Sequence, residues 1–394
     1  MPRVLSISTL YPSLSRPQFG GFVARQMEAL AKRGDWRVTV INPIGLPPLA
    51  LGRYAAQAAA AVDSIDNGVE VHRPRFTLIP GLGARWNPGA IVRAVLPLAR
   101  RLHDESPFDL VDAQFFWPDG PAAAAIAGEL GLPLSLKARG SDIHHWGARG
   151  FARRRMVAAA RQAAGILAVS QALRHDMIAL GMPGERITVH HTGLDRERFH
   201  LGDRSESRAA LERSHGVPAD GKLLASVGAL IPVKGQAHAI RGLTLLSEDV
   251  RLALAGTGPD LPKLAALALK QGVSRRVHFL GAVPHGDLPM LLAAADAMVL
   301  PSAREGLANA WIEALACGTP IVIPDVGGAR EVVTAPAAGL IVPREPGAIA
   351  AAVAALLADP PAPPAVAATV AGFSWEANAA ALAAHYAGIA SGPA

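Results

Sequence analysis

Short apolar runs alternate with stretches of helical periodicity along the whole chain, and this alternation restricts the fold more than any other feature. Continuous apolar runs are typical of strands buried on both faces of a parallel sheet, whose connections are usually helices. No repeat of about 20–50 residues is present, so solenoids and propellers are excluded. The sequence therefore predicts an α/β protein. The predicted strands are Val4–Ser8, Arg37–Ile41, Val69–Arg73, Leu110–Ala113, Leu134–Lys137, Ile166–Val169, Ile187–His190, Leu223–Val227, Arg251–Ala255, Val277–Leu280, Ala297–Leu300, Pro320–Ile323 and Gly339–Val342.

A polar, turn-rich segment at residues 199–221 divides this alternation into two Rossmann-like halves, with a hinge expected near 196–202. The 394 residues are enough for two domains, each with its own core. Open parallel sheets bind ligands beyond the carboxyl ends of their strands, so we expect a ligand site between the halves. The predicted segments are a first domain over 1–198, a second over 199–373, a connector at 358–371 and a last helix, Trp375–Ile389, within 374–394.

Residues 301–320 carry the most specific local pattern of the second half. A buried strand precedes them, Gly306 permits close approach of the backbone to a ligand, and a helix is expected beyond it. Glu305, Asn309 and Glu313 are spaced by four and should form one polar stripe. Glutamates at this spacing commonly form a solvated helix face, but the apolar neighbours on both sides favour a ligand-facing role here.

Glycines and a lysine occupy further junctions between a strand and a helix. Gly20 and Gly21 follow the first strand and open the first helix, where free backbone N–H groups attract phosphate or a polar sugar. Lys234 lies in such a junction and can reach a diphosphate as a mobile point charge. The Gly-Thr-Gly-Pro segment at 256–259 is not a Gly-x-Gly-x-x-Gly motif and is interpreted chiefly as a tight turn.

Composition limits where such a protein can act. The hydrophobic content is 51%, but the two most apolar segments, 45–62 and 118–136, are interrupted by charged residues. Neither offers about 20 apolar residues in succession, so no membrane span is predicted. The apolar run in Val4–Ser8 is too short for a signal peptide. The single cysteine excludes a disulfide framework, and we expect a cytoplasmic protein.

Positive charge is concentrated in the first half. Residues 1–200 hold 24 Lys and Arg against 16 Asp and Glu, and the remainder holds 14 against 16. This indicates either an anionic partner, such as acidic lipid or a phosphorylated substrate, or the arginine-rich surface of a protein from a GC-rich genome. Nucleic acid is disfavoured, because aromatic residues make up only 5% and no reader motif is present.

Other chemistries lack their usual residue patterns. The histidine pairs at 144–145 and 190–191, even with Asp142, do not have the spacing of zinc ligands, so no metal site is predicted. Ser170 lacks the glycine-flanked turn of an α/β-hydrolase nucleophile and is expected to cap a helix. No Gly-x-Gly-x-x-Gly follows the first strand, which argues against a nicotinamide oxidoreductase.

Five motifs in order resemble the retaining GT-B glycosyltransferases of family 4. The resemblance covers nearly the whole chain and is strongest over residues 223–342. It implies two Rossmann-like domains facing across a cleft, with the C-terminal helix crossing back to the first domain. The motifs are Val227 and Gly228 with Lys234 and Gly235, the segment 254–259, the segment 277–281, Glu305 and Glu313 ahead of 314–322, and Gly327–Glu331.

The resemblance implies a role for each matched residue. Lys234 would bind the donor diphosphate, Glu305 would contact hydroxyls of the donor sugar, and Glu313 would hold the ribose hydroxyls. Gly20 and Gly21 would lie over the donor phosphates and near the acceptor. The implied catalytic residues are Glu305, Lys234 and Arg139, and the implied donor-binding residues are Gly20, Gly21, Gly228, Lys234, Gly256, Glu305, Gly306, Leu307, Asn309 and Glu313.

Three departures from the family pattern are visible. Ala229 stands where an arginine is common, and Arg139 stands where a histidine often precedes Gly-Ser-Asp. Leu307 and Asn309 replace an aromatic–glycine pair. One cation is lost and another is gained, which is compatible with an active enzyme. A role specific to the family's histidine in the first domain does not carry over to Arg139.

The implied function is sugar transfer, with retention, from a nucleotide-diphosphate-sugar donor to an acceptor hydroxyl. The resemblance implies no cofactor and no metal, and closure of the two domains around the donor. The acceptor would be a saccharide or lipid-linked saccharide of polysaccharide or glycolipid biosynthesis, with the basic half in peripheral contact with an anionic inner membrane surface and with no nucleic acid partner. Two alternatives remain open: a nucleotide-sugar epimerase on the same fold, and a catalytically silent sugar-nucleotide-binding subunit, for which Ala229 is the sequence hint.

Overall fold

The computed structural model describes residues 1–81 and 83–391, which form two compact units. The first unit comprises Met1–Gly193 together with the C-terminal segment from Trp375, and the second comprises Leu194–Ser374. The predicted hinge at 196–202 follows directly after the first boundary. The last residues of the predicted segment 374–394, 392–394, lie outside the described part of the chain.

The first unit is built on an eight-stranded sheet with the order β10-β9-β8-β7-β1-β2-β5-β4. All neighbouring pairs are parallel except β4 with β5, which a tight turn at Asn67 and Gly68 joins. A separate parallel pair, β3 with β6, lies beside it. The strands are β1 Arg3–Ile7, β2 Arg37–Ile41, β3 Ile44–Leu46, β4 Ser64–Asp66, β5 Val69–His72, β6 Arg75–Thr77, β7 Leu110–Ala113, β8 Leu134–Ala138, β9 Gly165–Ala168 and β10 Ile187–Val189.

Helices follow most of these strands, as expected for the crossovers between parallel strands. In the first of them, Val23, Met27 and Leu30 recur at helical spacing and are fully buried against the sheet. The helix after β9 has the predicted N-cap, because the Ser170 hydroxyl accepts a hydrogen bond from Leu173 N at 3.1 Å. The helices are α1 Gly21–Lys32, α2 Arg53–Ala59, α3 Asn87–Glu105, α4 Asp119–Leu130, α5 Gly150–Gln162 and α6 Gln171–Ala179.

The second unit holds a six-stranded, fully parallel sheet with the order β13-β12-β11-β14-β15-β16. Its core of Leu, Val, Ile and Ala side chains lies between the sheet and its helices. The strands are β11 Lys222–Val227, β12 Val250–Ala255, β13 Val277–Gly281, β14 Ala297–Val299, β15 Ile321–Ile323 and β16 Gly339–Ile341. The helices are α7 Arg204–His215, α8 Gln236–Leu243, α9 Leu261–Lys270, α10 Leu288–Ala294, α11 Asn309–Ala316, α12 Ala329–Val332, α13 Pro346–Ala358 and α14 Pro363–Ala368.

The final helix, α15 (Trp375–Ala390), belongs to the first unit, which confirms the predicted return of the chain. It packs against α1, and its Leu382 and Tyr386 are fully buried in the same core. The Tyr386 ring meets Trp36 edge to face with the ring centroids 5.5 Å apart. The first and last helices of the chain therefore share one hydrophobic core.

Some short elements were absent from the sequence prediction. Segments 42–68 and 74–88, in which no strand was predicted, contain α2 and the short strands β3, β4 and β6. Three-residue strands carry too little periodicity to be recognised, and they form here through pairing with a partner strand. The predicted connector 358–371 contains the short helix α14. Within the described residues no helix is long and apolar enough to cross a membrane.

Candidate functional site

The predicted donor-binding residues of the second unit follow three neighbouring strands of its sheet. Gly228 and Lys234 follow β11, Gly256 follows β12, and Glu305 follows β14. Strand β11 lies between β12 and β14, so the loops share the carboxyl edge of the sheet. Gly228 N donates to Ala255 O at the end of β12, which joins two of these loops directly. This is the edge at which open parallel sheets bind ligands.

The Lys234 ammonium and the Glu305 carboxylate form an ion pair, with Nζ 2.5 Å from Oε1. Their side chains are 22% and 10% exposed, so the pair is largely withdrawn from solvent and weakly screened. Ala303 N donates to Val233 O at 2.7 Å, which fixes the two loops to each other. The structure thus brings together the cation and the carboxylate that the sequence placed at separate junctions.

Gly327 and Gly328, which follow strand β15, support the loop that carries Glu305. Gly328 N donates to Gly306 O at 2.8 Å. Gly327 has φ +53°, and a Cβ there would lie 2.4 Å from Glu305 O, so only glycine allows this approach. The motif Gly327–Glu331 therefore supports the loop that carries Glu305.

Helix α11 differs from its prediction in where it begins. It starts at Asn309, so Glu305 lies in the preceding loop and the predicted stripe keeps only two members on the helix. The loop backbone forms hydrogen bonds to neighbouring loops instead of helical ones. The helix is buried on most sides: Leu307 before it and Glu313 within it are buried, whereas Asn309 is half-buried. A buried glutamate without solvent requires a partner, and His285 provides one at 3.2 Å.

In the first unit, Gly20 and Gly21 stand at the start of α1 as predicted. Gly20 has φ +74°, and a Cβ there would lie 2.5 Å from the Leu10 carbonyl carbon, so the turn into the helix needs glycine. Around the Cα of Gly21 the space is open, since a Cβ there would meet no atom within 4 Å.

Arg139 lies beyond the end of β8 and reaches α1. Its guanidinium donates to Gln114 Oε1 at 2.5 Å and to Gln26 Oε1 at 3.3 Å, and it lies 5.0 Å from the centre of the Phe22 ring. Burial lowers the pKa of Arg139 to about 10, a value at which it stays cationic at neutral pH. The structure therefore brings Arg139 to the helix end that carries Gly20 and Gly21.

A buried polar network that the sequence did not predict shares Gln26 with Arg139. Lys137, with no exposed surface, donates from Nζ to Gln26 Oε1 at 2.7 Å and to His190 Nδ1. Burial and then the nearby Arg139 lower the pKa of Lys137 well below its usual value. Burial and then Lys137 lower the pKa of His190 to about 2. A lysine within an apolar strand was the available signal, but its partners lie on distant elements.

Two buried carboxylates hold the loops at this edge of the first unit. Asp142 accepts hydrogen bonds from the backbone N–H groups of Phe116, Arg139, Gly140 and Ile143. Asp119 Oδ2 accepts one from Thr9 N, at 2.8 Å, in the loop that leads to Gly20. Burial raises the pKa of Asp119 to about 7.

Asp119 should make stability depend on pH. Its pKa is raised in the folded chain, so its stabilising contribution is complete below the unfolded value and is lost as pH rises through about 7. Asp119→Asn keeps an acceptor for Thr9 N and cannot ionise. Between pH 5 and 8 the unmodified protein should lose about 3 kcal/mol more unfolding free energy than this variant. Urea unfolding at pH 5 and pH 8 measures the loss of unfolding free energy for each protein, and equal losses would contradict the prediction.

Within the described residues no group of three or more His, Cys, Asp and Glu side chains is arranged to hold a metal ion. The predicted position of a ligand between the two units stays a prediction, as do the individual donor-binding roles.

Two family profiles match consecutive parts of the chain. The family described as Glycosyltransferase Family 4 matches residues 21–198, and the family described as Glycosyl transferases group 1 matches residues 207–369. The two matches follow the division of the structure into its first and second units.

Named relatives have related activities. The putative teichuronic acid biosynthesis glycosyltransferase TuaC of Bacillus subtilis is 29% identical over 359 residues, which are 89% of this chain and 88% of that protein. The D-inositol 3-phosphate glycosyltransferase of Mycobacterium tuberculosis is 40% identical over 154 residues, 38% of this chain and 31% of that protein. The second match is local.

Solved structures share the fold over nearly the full length. Alr3699/HepE of Anabaena, in complex with UDP, superposes with a TM-score of 0.75 at 22% identity over 98% of this chain and 100% of that one. The sucrose-phosphate synthase of Thermosynechococcus elongatus reaches a TM-score of 0.79 at 19% identity over 98% and 99%. The GT-B fold is confirmed by these likenesses.

Proposed function

The chain belongs to the group 1 glycosyltransferases, and we propose that it transfers a sugar from a nucleoside diphosphate donor to an acceptor hydroxyl with retention at the anomeric carbon. The observation that carries this proposal is the Lys234–Glu305 ion pair at the carboxyl edge of the second sheet. A cation suited to a diphosphate and a carboxylate suited to sugar hydroxyls meet where parallel sheets bind ligands.

We assign the donor groups to the loops around that pair. Lys234 binds the diphosphate, Glu305 accepts hydrogen bonds from sugar hydroxyls, and Glu313 accepts them from the ribose. Backbone groups of Gly306 and Leu307, beside the supporting Gly327 and Gly328, face the sugar and diphosphate. The complexes of Alr3699/HepE with UDP and with UDP-glucose make uridine nucleotides the first donors to test.

In the proposed reaction the bond between the anomeric carbon and the diphosphate oxygen breaks as the acceptor oxygen approaches from the same face. The departing phosphate oxygen takes the acceptor proton. Developing negative charge on the diphosphate requires fixed positive groups near it. Lys234 supplies one, Arg139 and the start of α1 are assigned to the same task, and the proposed reaction uses no metal.

Slow hydrolysis of the donor in the absence of acceptor tests the stereochemistry. UDP-glucose carries an α-linked sugar, so retention releases α-glucose first, and proton NMR distinguishes it from β-glucose before mutarotation. Early β-glucose would contradict retention. Free nucleotide with an isomerised sugar would instead identify the epimerase, and no turnover despite nucleotide binding would identify the silent subunit.

For the acceptor we propose a lipid-linked saccharide at an anionic membrane surface. Loops after β1, β3 and β6 expose apolar side chains beside arginines. Burial and then the nearby Arg53 lower the pKa of Arg16, and the Arg85 guanidinium lies 5.8 Å from the Trp86 ring centre. Exposed aromatic and aliphatic groups among arginines suit an anionic interface. The exposed apolar side chains are Leu14, Leu49, Leu51, Ile79 and Trp86.

Replacing Leu49, Leu51 and Trp86 together by serine should lower flotation on phosphatidylglycerol vesicles by about tenfold, because each loses apolar surface that the bilayer would cover. Leu269→Ser is the matched control, since Leu269 is 72% exposed on α9 of the second unit. Flotation that is indifferent to anionic lipid, or equal for the triple variant, would count against the membrane assignment.

A further inference from the structure

Glu313 is held by a histidine that lies outside the predicted site. His285 follows β13 and places Nε2 3.2 Å from Glu313 Oε1. The Glu313 side chain is only 11% exposed, and that of His285 is 32% exposed. A carboxylate so withdrawn from water takes its orientation from the donors around it.

The proton position on His285 follows from its other neighbour. Arg198 Nη1 lies 3.1 Å from His285 Nδ1. A guanidinium has donors and no acceptor, so Nδ1 must accept. Nε2 then carries the proton and donates it to Glu313. Asp195 lies 3.6 Å from the Arg198 guanidinium, which completes a chain of alternating partners from Asp195 to Glu313.

Packing fixes the ring that carries this hydrogen bond. Phe199 is buried, and its ring meets the His285 imidazole edge to face with centroids 5.0 Å apart. His285 is thus oriented by a ring on one side and by Arg198 and Glu313 at its two nitrogens.

We propose that His285 is a positioning residue for nucleotide recognition. It donates to Glu313 Oε1 and leaves Oε2 directed to accept from a ribose hydroxyl. The inference rests on the proposed binding of a nucleoside diphosphate donor, in which Glu313 holds the ribose. A carboxylate that accepts from two hydroxyls must present a fixed plane, and His285 fixes that plane.

The test compares nucleotides with and without ribose hydroxyls. His285→Phe keeps a ring against Phe199 but cannot donate to Glu313. It should weaken UDP binding by about fivefold to tenfold, which is less than the effect of removing a direct hydrogen bond to a charged group, because His285 acts on the ribose only through Glu313. Binding of 2′,3′-dideoxy-UDP should be unchanged. His285→Gln retains an N–H donor and should recover part of the affinity for UDP. His215→Phe on α7 is the control, and calorimetric titration gives the dissociation constants.

Equal weakening for both nucleotides would show that His285 only supports the local fold, and unchanged UDP binding would show that Glu313 does not need it. Either result overturns the inference and leaves the donor-binding proposal intact. The same pair of measurements with GDP and its 2′,3′-dideoxy analogue applies if guanine is the base. If the unmodified protein binds none of UDP, GDP and ADP, the proposed function fails and the inference fails with it.

Discussion

Lys234→Met is expected to lower the rate of sugar transfer by about 100- to 1000-fold, the usual cost of removing one fixed group that stabilises transition-state charge. Methionine keeps most of the lysine's length without its charge. The substitution removes the cation nearest Glu305 and leaves that carboxylate, with only 10% of its side chain exposed, without its ion-pair partner. Lys263→Met is the matched control, because Lys263 lies in the same unit with 82% of its side chain exposed.

A double variant separates the two roles that Lys234 can have. If Lys234 only neutralises Glu305, then Lys234→Met with Glu305→Gln should bind UDP as tightly as Glu305→Gln alone, because no unpaired carboxylate remains. If Lys234 acts on the diphosphate, the double variant should bind UDP more weakly than Glu305→Gln. Calorimetric titration with UDP, which lacks the sugar that Glu305 contacts, measures both, and we expect the second outcome. Equal UDP binding by the two variants would contradict the diphosphate assignment.

Joint replacement of Glu305 and Glu313 by glutamine should abolish detectable binding of the nucleotide sugar. Each carboxylate is assigned to hydroxyls of the donor, and hydrogen bonds to charged groups contribute about 1.5–3 kcal/mol each, so the dissociation constant should rise by about 100-fold or more. Both side chains are nearly buried, which strengthens such bonds.

The single variants should divide this loss between the parts of the donor. Glu305→Gln should weaken UDP-glucose and leave UDP unchanged, because Glu305 is assigned to the sugar. Glu313→Gln should weaken both ligands equally, because both carry the ribose. Calorimetric titration of the two ligands against the three variants gives the comparison. Intact donor binding with lost turnover would instead show that the carboxylates act as acid and base.

The fold was largely predictable because its signals are local. Every predicted strand has a counterpart in the structure, because a short apolar run between a turn and a helix is typical of a strand in a parallel sheet. The strand–loop–helix positions of Gly20, Lys234 and Glu305 then followed from topology, because all parallel strands end at the same edge of a sheet. The ion pair of Lys234 with Glu305, 71 positions apart, is a consequence of adjacent strands.

The groups that the sequence did not reveal depend on contacts between distant elements. Lys137 ends a predicted strand, yet its partners Gln26 and His190 lie 111 and 53 positions away. His285 lies in a polar turn and becomes significant only because it meets Glu313 and Arg198. The polar stripe was misplaced because tertiary hydrogen bonds, and not helical ones, satisfy the backbone around Glu305.

The central claim, that the second unit binds a nucleoside diphosphate sugar, is tested most directly by thermal unfolding of the unmodified protein against UDP-glucose, UDP-galactose, GDP-mannose and ADP-glucose. At a concentration about 100 times the dissociation constant, a bound donor should raise Tm by about 5 °C. We expect this shift with one donor and with its nucleoside diphosphate, and its loss in the Glu305→Gln/Glu313→Gln variant. An unchanged Tm with every nucleotide sugar would contradict the account.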